Sequence, residues 1–265
     1  MRRNEKDVVN LYDTLSPVMQ LATGGSMLNF GMWSDESNEP VSAQNNLCSY
    51  FGKFSEFDNA KNTLDVGSGL SAPAIYWRNQ YPDLNLYCIN INYNQLSYTG
   101  FQKNIEFVNS SSTKLPFTND SVDRVVALES AQHFKPLENF IFESKRVLKK
   151  SGLLVLAMPI TMSTSSIGKL GILKFTWSSE HYLLDYVKKL LDSGNFKIID
   201  EKLIGSQVYD PLADYYTKNR KLLKKSILAN YPQYVESILH KSILKMKEAS
   251  EKKVIDYVLL KCSLV

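Results

Sequence analysis

The sequence is poor in the residues that build metal centres and disulfide frameworks. It has 265 residues, of which three are cysteines and three are histidines. None of them pairs at Cys-x-x-Cys or His-Glu-x-x-His spacing, so no metal site carried by the protein is expected.

Long apolar runs are also missing. No stretch approaches the roughly 20 residues that cross a bilayer. The N-terminal segment MRRNEKDVVN has no apolar core of the kind found in signal peptides. We therefore expect a cytoplasmic protein without stable membrane insertion.

Charge of one sign is only mildly in excess. The net charge is +4, and residues 212–262 carry eleven Lys and Arg against five Asp and Glu. This surplus is too small to predict nucleic-acid binding. The lysines could face an acidic substrate, a membrane surface in peripheral contact, or only water. A small-molecule substrate is the expected partner, and the sequence leaves both a monomer and a homodimer open.

Apolar, strand-like runs alternate along the chain with helix-like segments. The predicted strands are 64–67, 84–91, 105–109, 121–130, 152–159, 196–204 and 254–262. Nearly continuous apolar strands between helices are typical of a parallel sheet covered on both faces. We predict an α/β, Rossmann-like, doubly wound fold with a mostly parallel, seven-stranded sheet.

Two segments lie outside this core. Residues 1–50 are expected to form a helical N-terminal cap, and residues 210–250 a helical lid insert before the last strand, since ordinary loops are far shorter. The core then comprises 60–209 and 251–265, within a single domain of 1–265. Tyrosines and an apolar helix face in the insert could cover a lipophilic substrate.

The stretch TLDVGSGLSAPA, residues 63–74, predicts a strand, a glycine turn and a helix. Gly67 and Gly69 would let the backbone approach a ligand at the carboxyl end of the first strand. Ser71 stands where a G-x-G-x-G turn would have its third glycine, and Pro73 lies two residues after it. The pattern therefore disfavours a dinucleotide and is compatible with a cofactor that has no phosphates.

Five segments follow one another between about residues 60 and 160: LDVGSGLSAPA, CININYNQL, TKLPF, VDRVVALESAQHF and RVLKKSGLLVLAMP. In this order and spacing they resemble the class I S-adenosylmethionine-dependent methyltransferases. LYDTLSPV and NFGMW, nearer the N-terminus, resemble the cap of small-molecule members, among them the natural-product sugar O-methyltransferases and the sterol C-methyltransferases. The resemblance implies S-adenosylmethionine as the cofactor and S-adenosylhomocysteine as its product.

The resemblance also implies where the cofactor would bind. Asp65, Gly67, Ser68 and Gly69 would surround its methionine part, and Asn90 with Gln95 its ribose hydroxyls. Further cofactor contacts are implied at the adenine end, at two strand ends and in the cap: Ser111, Ser112, Ile91, Leu128, Tyr12 and Trp33.

Three positions depart from the family pattern: Ser71, Asn90 and Ser111. Asn90 replaces an acidic residue, but two amides can still pair with two hydroxyls because each offers a donor and an acceptor. Ser111 or Ser112 replaces an aspartate that accepts from the adenine amino group, and a hydroxyl is a weaker acceptor than a carboxylate. We expect binding to survive these changes.

His133 follows the fourth strand, where the resemblance implies that the transferred methyl group points. A histidine suits proton transfer at neutral pH, so we predict His133 as the general base of an O-methyltransferase. A purely structural role at a helix start is the alternative.

Glu129 ends the same strand, where a buried charge is costly without a partner. We predict that it lines the pocket or orients a substrate group or His133. In a C- or N-methyltransferase of a lipophilic or amine substrate, it would instead stabilise a cation. A non-methylating protein that keeps the cofactor-binding fold is the third possibility.

Overall fold

The computed structural model describes residues 5–177 and 180–265. Its helices are α1 (Glu5–Thr23), α2 (Pro40–Phe54), α3 (Ala72–Gln80), α4 (Tyr93–Tyr98), α5 (Leu137–Val147), α6 (Ser166–Lys169), α7 (Leu173–Thr176), α8 (Leu184–Ser193), α9 (Gly205–Leu228) and α10 (Gln233–Glu251). Its strands are β1 (Asn62–Val66), β2 (Asn85–Asn90), β3 (Ile105–Asn109), β4 (Val122–Leu128), β5 (Leu148–Thr161), β6 (Phe196–Leu203) and β7 (Ile255–Leu264).

The strands form one sheet in the order β3-β2-β1-β4-β5-β7-β6. The five strands from β3 to β5 pair in parallel, and β7 runs antiparallel between β5 and β6. The predicted doubly wound, mostly parallel, seven-stranded sheet is therefore confirmed. Because the strand order reverses next to β1, the carboxyl ends of β1, β2 and β4 surround the crevice in which such sheets bind ligands.

Helices cover both faces of the sheet. On one face, α2, α3, α9 and α10 pack on alternate strand residues such as Val126 and Val155. On the other, α5 and α8 pack on the intervening residues, such as Val125 and Leu154. The near-continuous apolar strands are explained by this double burial.

The segment between β6 and β7 forms two long helices rather than a loop. Helix α9 begins at Gly205, five residues before the predicted insert. A β-carbon at position 205 would lie 2.6 Å from Oδ1 of Asp256, and the Gly205 N–H donates to that same oxygen at 2.8 Å. This contact with β7 fixes where the helix starts, and it joins residues that are far apart in the sequence. No helix of the described residues has the length and apolarity needed to cross a membrane.

Candidate functional site

A cavity of about 260 Å³ lies above the carboxyl ends of β1, β2 and β4. Helix α1 and the loop before α2 form one wall, the glycine turn after β1 forms the floor, and α7, α9 and α10 lie over the opposite end. Its lining includes eleven of the fourteen predicted site residues: Tyr12, Gly67, Ser68, Gly69, Asn90, Ile91, Gln95, Ser112, Leu128, Glu129 and His133. Among the described lining residues, Trp33, Asp65 and Ser111 do not occur.

The glycine turn approaches the strand beside it very closely. Gly67 has a φ of 76°, and a β-carbon there would lie 2.4 Å from Cβ of Ser130. Gly69, with a φ of 56°, has only the Leu28 side chain near its β-carbon position, at 3.7 Å. Gly67 is therefore required by packing and by its backbone angle, whereas Gly69 leaves open space toward the cavity.

Ser71 occupies a backbone conformation that favours glycine. Its φ is 58°, in the left-handed region, and its side chain is fully buried. The Ser71 hydroxyl donates to Oγ of Ser68 at 3.1 Å. The serine thus keeps the turn geometry of the family's third glycine at the expense of some backbone strain, and it adds a hydrogen bond under the turn.

Asn90 and Gln95, the two amides predicted to face the ribose hydroxyls, are hydrogen-bonded to each other. The Asn90 amide donates to Oε1 of Gln95 at 2.9 Å and to the Gly69 carbonyl at 3.1 Å. Gln95 donates in turn to the hydroxyl of Ser16 on α1 at 3.2 Å. This network holds both amides at the cavity wall between the glycine turn and the cap helix.

The loop after β3 supplies the far end of the same wall. Ser112 lines the cavity, but the Ser111 hydroxyl turns to α1 and donates to Oε1 of Glu5 at 2.6 Å. Glu5 itself lines the cavity. Of the two serines predicted here, one borders the cavity and the other holds a carboxylate from the cap.

Asp65 lies beneath the turn rather than in the cavity. It alternates along β1 with Leu64 and Val66, which belong to the opposite face, and it pairs with Cys88 of β2. Burial raises the pKa of Asp65 to about 7. Its Oδ2 has no hydrogen-bond partner among the described residues. Its negative charge also helps to raise the pKa of Cys88, after burial itself.

His133 lies at the end of a 3-10 turn, Ala131–His133, directly after β4. Its Nε2 is 2.8 Å from the Tyr12 hydroxyl of α1, and the two rings meet edge to face. Nε2 of Gln132 lies 3.2 Å from the same imidazole nitrogen. The nitrogen therefore faces the cavity in a position where a hydroxyl group can hydrogen-bond to it.

Glu129 connects the cap to the sheet. Its carboxylate accepts the Phe30 N–H at 3.0 and 3.1 Å and the Tyr257 hydroxyl at 3.0 Å. Burial raises the pKa of Glu129 to about 8, although both donors lower it. The side chain is surrounded by protein and borders the internal cavity. Its φ of 53° is a strained, left-handed value for a glutamate.

Trp33 docks the cap on α9 instead of lining the cavity. Its ring packs against Tyr215 with the centroids 5.5 Å apart, and its backbone N–H donates to the Gln207 carbonyl at 2.9 Å. That carbonyl is available because Pro211, inside α9, has no N–H to donate to it. The cavity lining gives no support to a direct contact between Trp33 and the cofactor.

Several lining residues were not predicted from the sequence. Among them, Glu5 has a detectable signal, since it continues the helical spacing of Val8, Val9 and Tyr12 on α1. Phe30 contributes to Glu129 through its backbone N–H, and a backbone donor in a loop leaves no pattern in the sequence.

The charges around the cavity favour a cationic ligand over a phosphate. The carboxylate, imidazole and ammonium side chains in the described lining are Glu5, Glu129, His133 and Lys135. Lys135 is already paired with Glu180. A diphosphate would need several donors or cations, whereas a sulfonium cofactor needs acceptors, space over the glycine turn and partners for two hydroxyls. These residues therefore fit S-adenosylmethionine.

Comparisons with known proteins agree with this geometry. Residues 64–156 match a family described as a methyltransferase domain. The chain is 26% identical over 251 residues to erythromycin 3''-O-methyltransferase of Saccharopolyspora erythraea, which covers 88% of this chain and 81% of that protein.

Two solved structures share its fold over nearly the whole length. The mycolic acid cyclopropane synthase CmaA1, complexed with S-adenosylhomocysteine and CTAB, superposes with a TM-score of 0.84 at 14% identity and covers 99% of both chains. The [4+2]-cyclase SpnF superposes with a TM-score of 0.82 at 17% identity, covering 99% of this chain and 97% of that one. Residues 64–156 of the chain therefore match a methyltransferase domain, and the chain as a whole shares its fold with these two solved structures.

Proposed function

We propose that the protein methylates a hydroxyl group of a lipophilic small molecule, with His133 as the general base. The observation that carries this proposal is the 2.8 Å contact between Nε2 of His133 and the Tyr12 hydroxyl inside the cavity. This contact supports the proposal because it brings a hydroxyl group within hydrogen-bond distance of the imidazole nitrogen.

S-adenosylmethionine, when bound, supplies an electrophilic methyl group on a sulfonium. Gly67, Ser68 and Gly69 would hold its methionine part, and Asn90 with Gln95 its ribose. His133 Nε2 would take the proton from the acceptor hydroxyl as its oxygen bonds to the methyl carbon, whose bond to sulfur would break to leave S-adenosylhomocysteine. The imidazole suits this step because its ordinary pKa lies close to neutral pH.

Tyr12 would act as a gate at this step. Its hydroxyl is hydrogen-bonded to the nitrogen that the acceptor needs, and α1, which carries it, covers the cavity. Binding of the acceptor would therefore displace the Tyr12 hydroxyl from Nε2 or join it in a three-membered network with His133. In both cases, α1 excludes water from the reacting groups.

The end of the cavity beyond His133 favours an apolar acceptor. It is lined by Leu173, Trp177, Leu212, Leu239, Ile243 and Met246 of the helices that cover it. We propose that residues 1–50 serve as the cap and the two helices α9 and α10 as the lid of one catalytic domain. The name of the macrolide-directed relative supports O-methylation of a hydroxylated natural product.

A second candidate is methyl transfer to carbon or nitrogen, and the position of Glu129 favours it. Its carboxylate borders the cavity and would stabilise a cation that forms there. The two groups that donate to this carboxylate, the Phe30 N–H and the Tyr257 hydroxyl, support the first candidate more strongly, because they already hold it as a link between cap and sheet.

The test begins with calorimetric titration of the purified protein with S-adenosylmethionine and S-adenosylhomocysteine. Release of S-adenosylhomocysteine is then measured with a panel of hydroxylated macrolide glycosides and sterols, and product mass spectrometry locates the methyl group. We expect micromolar binding of both compounds and a methyl ether as the product. His133→Ala should lower kcat about 100- to 10,000-fold and leave the affinity for S-adenosylhomocysteine within a few fold.

His240→Ala is the matched control, since this imidazole stacks on Tyr216 and does not line the described cavity wall. Full turnover in His133→Ala would remove the histidine from the mechanism. A product methylated at carbon or nitrogen, together with a large loss in Glu129→Gln, would support the second candidate. Binding without any methyl loss across the panel would favour a non-methylating role.

A further inference from the structure

One face of α1 is turned to the cavity along its whole length. The residues on it recur every three or four positions, as expected for one side of a helix: Glu5, Val8, Val9, Tyr12, Leu15 and Met19. All but the first and the fourth are purely apolar. Glu5 is the acidic member of this stripe, and its exposed side chain lies in the first turn of the helix, where an acid is favoured.

The position of Glu5 along the sheet is set by three contacts. Ser16 of α1 accepts from Gln95, and Asp13 accepts from the Asn92 amide at 2.7 Å, both just after β2. Glu5, two to three turns earlier on the helix, accepts from Ser111 after β3 at 2.6 Å. Followed from its C-terminal end toward its N-terminal end, helix α1 therefore runs from the end of β2 to the end of β3.

A ligand whose ribose lies at Asn90 and Gln95 must place its base farther along this path, because the order β3-β2-β1 leaves β3 on that side. The base would lie between Ile91 of the core and Val8 and Val9 of α1, next to Ser110 and Ser112. The described wall at that end contains a single carboxylate, and it belongs to Glu5.

We infer that Glu5 recognises the exocyclic amino group of the cofactor's adenine. The inference rests on the proposed function and deepens it. Ser111 stands where the resemblance implies an aspartate, and its hydroxyl donates to Glu5. The serine thereby holds in place a carboxylate supplied by the cap. One Glu5 oxygen accepts from Ser111, and the other is left to accept an N–H of the amino group. The contact that packs α1 against the loop after β3 would therefore also position Glu5 for the adenine.

The experiment compares two ligands by calorimetry. S-adenosylhomocysteine carries the amino group, and S-inosylhomocysteine carries a carbonyl oxygen in its place. The wild-type protein should prefer the first by about tenfold or more, since a charge-assisted hydrogen bond is replaced by repulsion between two acceptors. Glu5→Ala should weaken binding of S-adenosylhomocysteine about tenfold. Glu5→Gln should reduce or reverse the preference, because its amide can donate to the carbonyl oxygen.

Glu36→Gln, an exposed glutamate in the loop before α2, is the control and should leave both affinities unchanged. Circular dichroism of each variant confirms that it is folded. The inference is overturned if the wild-type protein binds S-adenosylhomocysteine and both Glu5 variants keep its affinity and its preference. If the wild-type protein binds neither ligand, the proposed function fails, and this inference with it.

Discussion

The two ends of the cavity are built by different means. At the cofactor end, the floor is a short stretch of chain, Gly67 to Ser71, whose backbone is packed against β4 and whose polar groups are hydrogen-bonded. At the acceptor end, α7, α9 and α10 come from distant parts of the sequence and present mainly apolar side chains. At this end, the hydroxyl of Tyr216 and the indole N–H of Trp177 are buried without a hydrogen-bond partner among the described residues.

This difference between the two ends separates binding of the cofactor from selectivity for the acceptor. A floor made of backbone and satisfied amides has little freedom to change, because each buried polar group must keep its partner. A roof of apolar side chains can exchange residues of similar volume at small cost in stability. One cofactor site can therefore serve many acceptors, and the fold alone does not fix the reaction.

The largest expected effect comes from breaking the floor. Gly67→Ala places a β-carbon 2.4 Å from Ser130 in a residue with a φ of 76°, and we expect destabilisation of about 3 kcal/mol or more from overlap and strain. Binding of S-adenosylhomocysteine should be lost. Urea unfolding monitored by circular dichroism measures the loss of stability, and calorimetry measures the loss of binding.

Gly69→Ala is the matched control, since its nearest neighbour lies at 3.7 Å. It should cost only about 1 kcal/mol, for the left-handed backbone. Equal losses in the two variants would mean that the close approach of Gly67 to β4 has no special role.

The next effect is expected at the link between cap and sheet, and it depends on pH. The pKa of Glu129 is raised from its ordinary 4.5 to about 8, so the unfolded chain loses this proton at lower pH than the folded protein does. Wild-type stability should therefore fall relative to Glu129→Gln as the pH rises from about 4.5 to 8, by about 3 kcal/mol. The glutamine can still accept from Phe30 and Tyr257.

The measurement is the difference in unfolding free energy between variant and wild type at several pH values. Subtraction removes the opposite contribution of carboxylates with lowered pKa, such as Glu143 and Glu248. A difference that stays constant from pH 5 to 8 would contradict a raised pKa at Glu129.

The smallest effect is expected at Ser71. Ser71→Gly relieves a strained φ of 58° but removes the hydrogen bond to Ser68, and we expect the two contributions to cancel within about 0.5 kcal/mol. Lys253→Gly provides the comparison, because its φ is 51° and its side chain is exposed after α10. That variant should gain stability by up to about 1 kcal/mol. Comparing the thermal unfolding of the two variants separates the effect of backbone strain from the effect of the lost hydrogen bond.

How far the site could be predicted depends on how local each residue's environment is. Gly67, Asn90, Gln95 and His133 lie at strand ends or within five residues of them, and the sheet fixes their approximate position as soon as the strands are recognised. Asp65 lies within β1, one residue before the strand ends, and its side chain is buried beneath the glycine turn instead of lining the cavity. Strand alternation alone does not predict this, because Leu128 of the same face does line the cavity.

Trp33 and Ser111 depended on partners that no local pattern reveals. Trp33 is bound to a carbonyl that Pro211 leaves free in α9, and Ser111 is bound to Glu5, more than a hundred residues earlier. Both contacts form only when the cap closes on the core. No motif predicts either contact, because the two residues that form it are far apart in the sequence.

The sequence by itself determined the sheet, the glycine turn and the residues at the strand ends, because hydrophobic periodicity and turn chemistry act over a few neighbouring residues. The tertiary structure alone decided that α1 lies across the sheet, that Glu129 holds Phe30 and Tyr257, and that Asp256 of β7 fixes the start of α9 at Gly205. These features depend on side chains that meet only after the chain has packed, and no short stretch of sequence contains both partners.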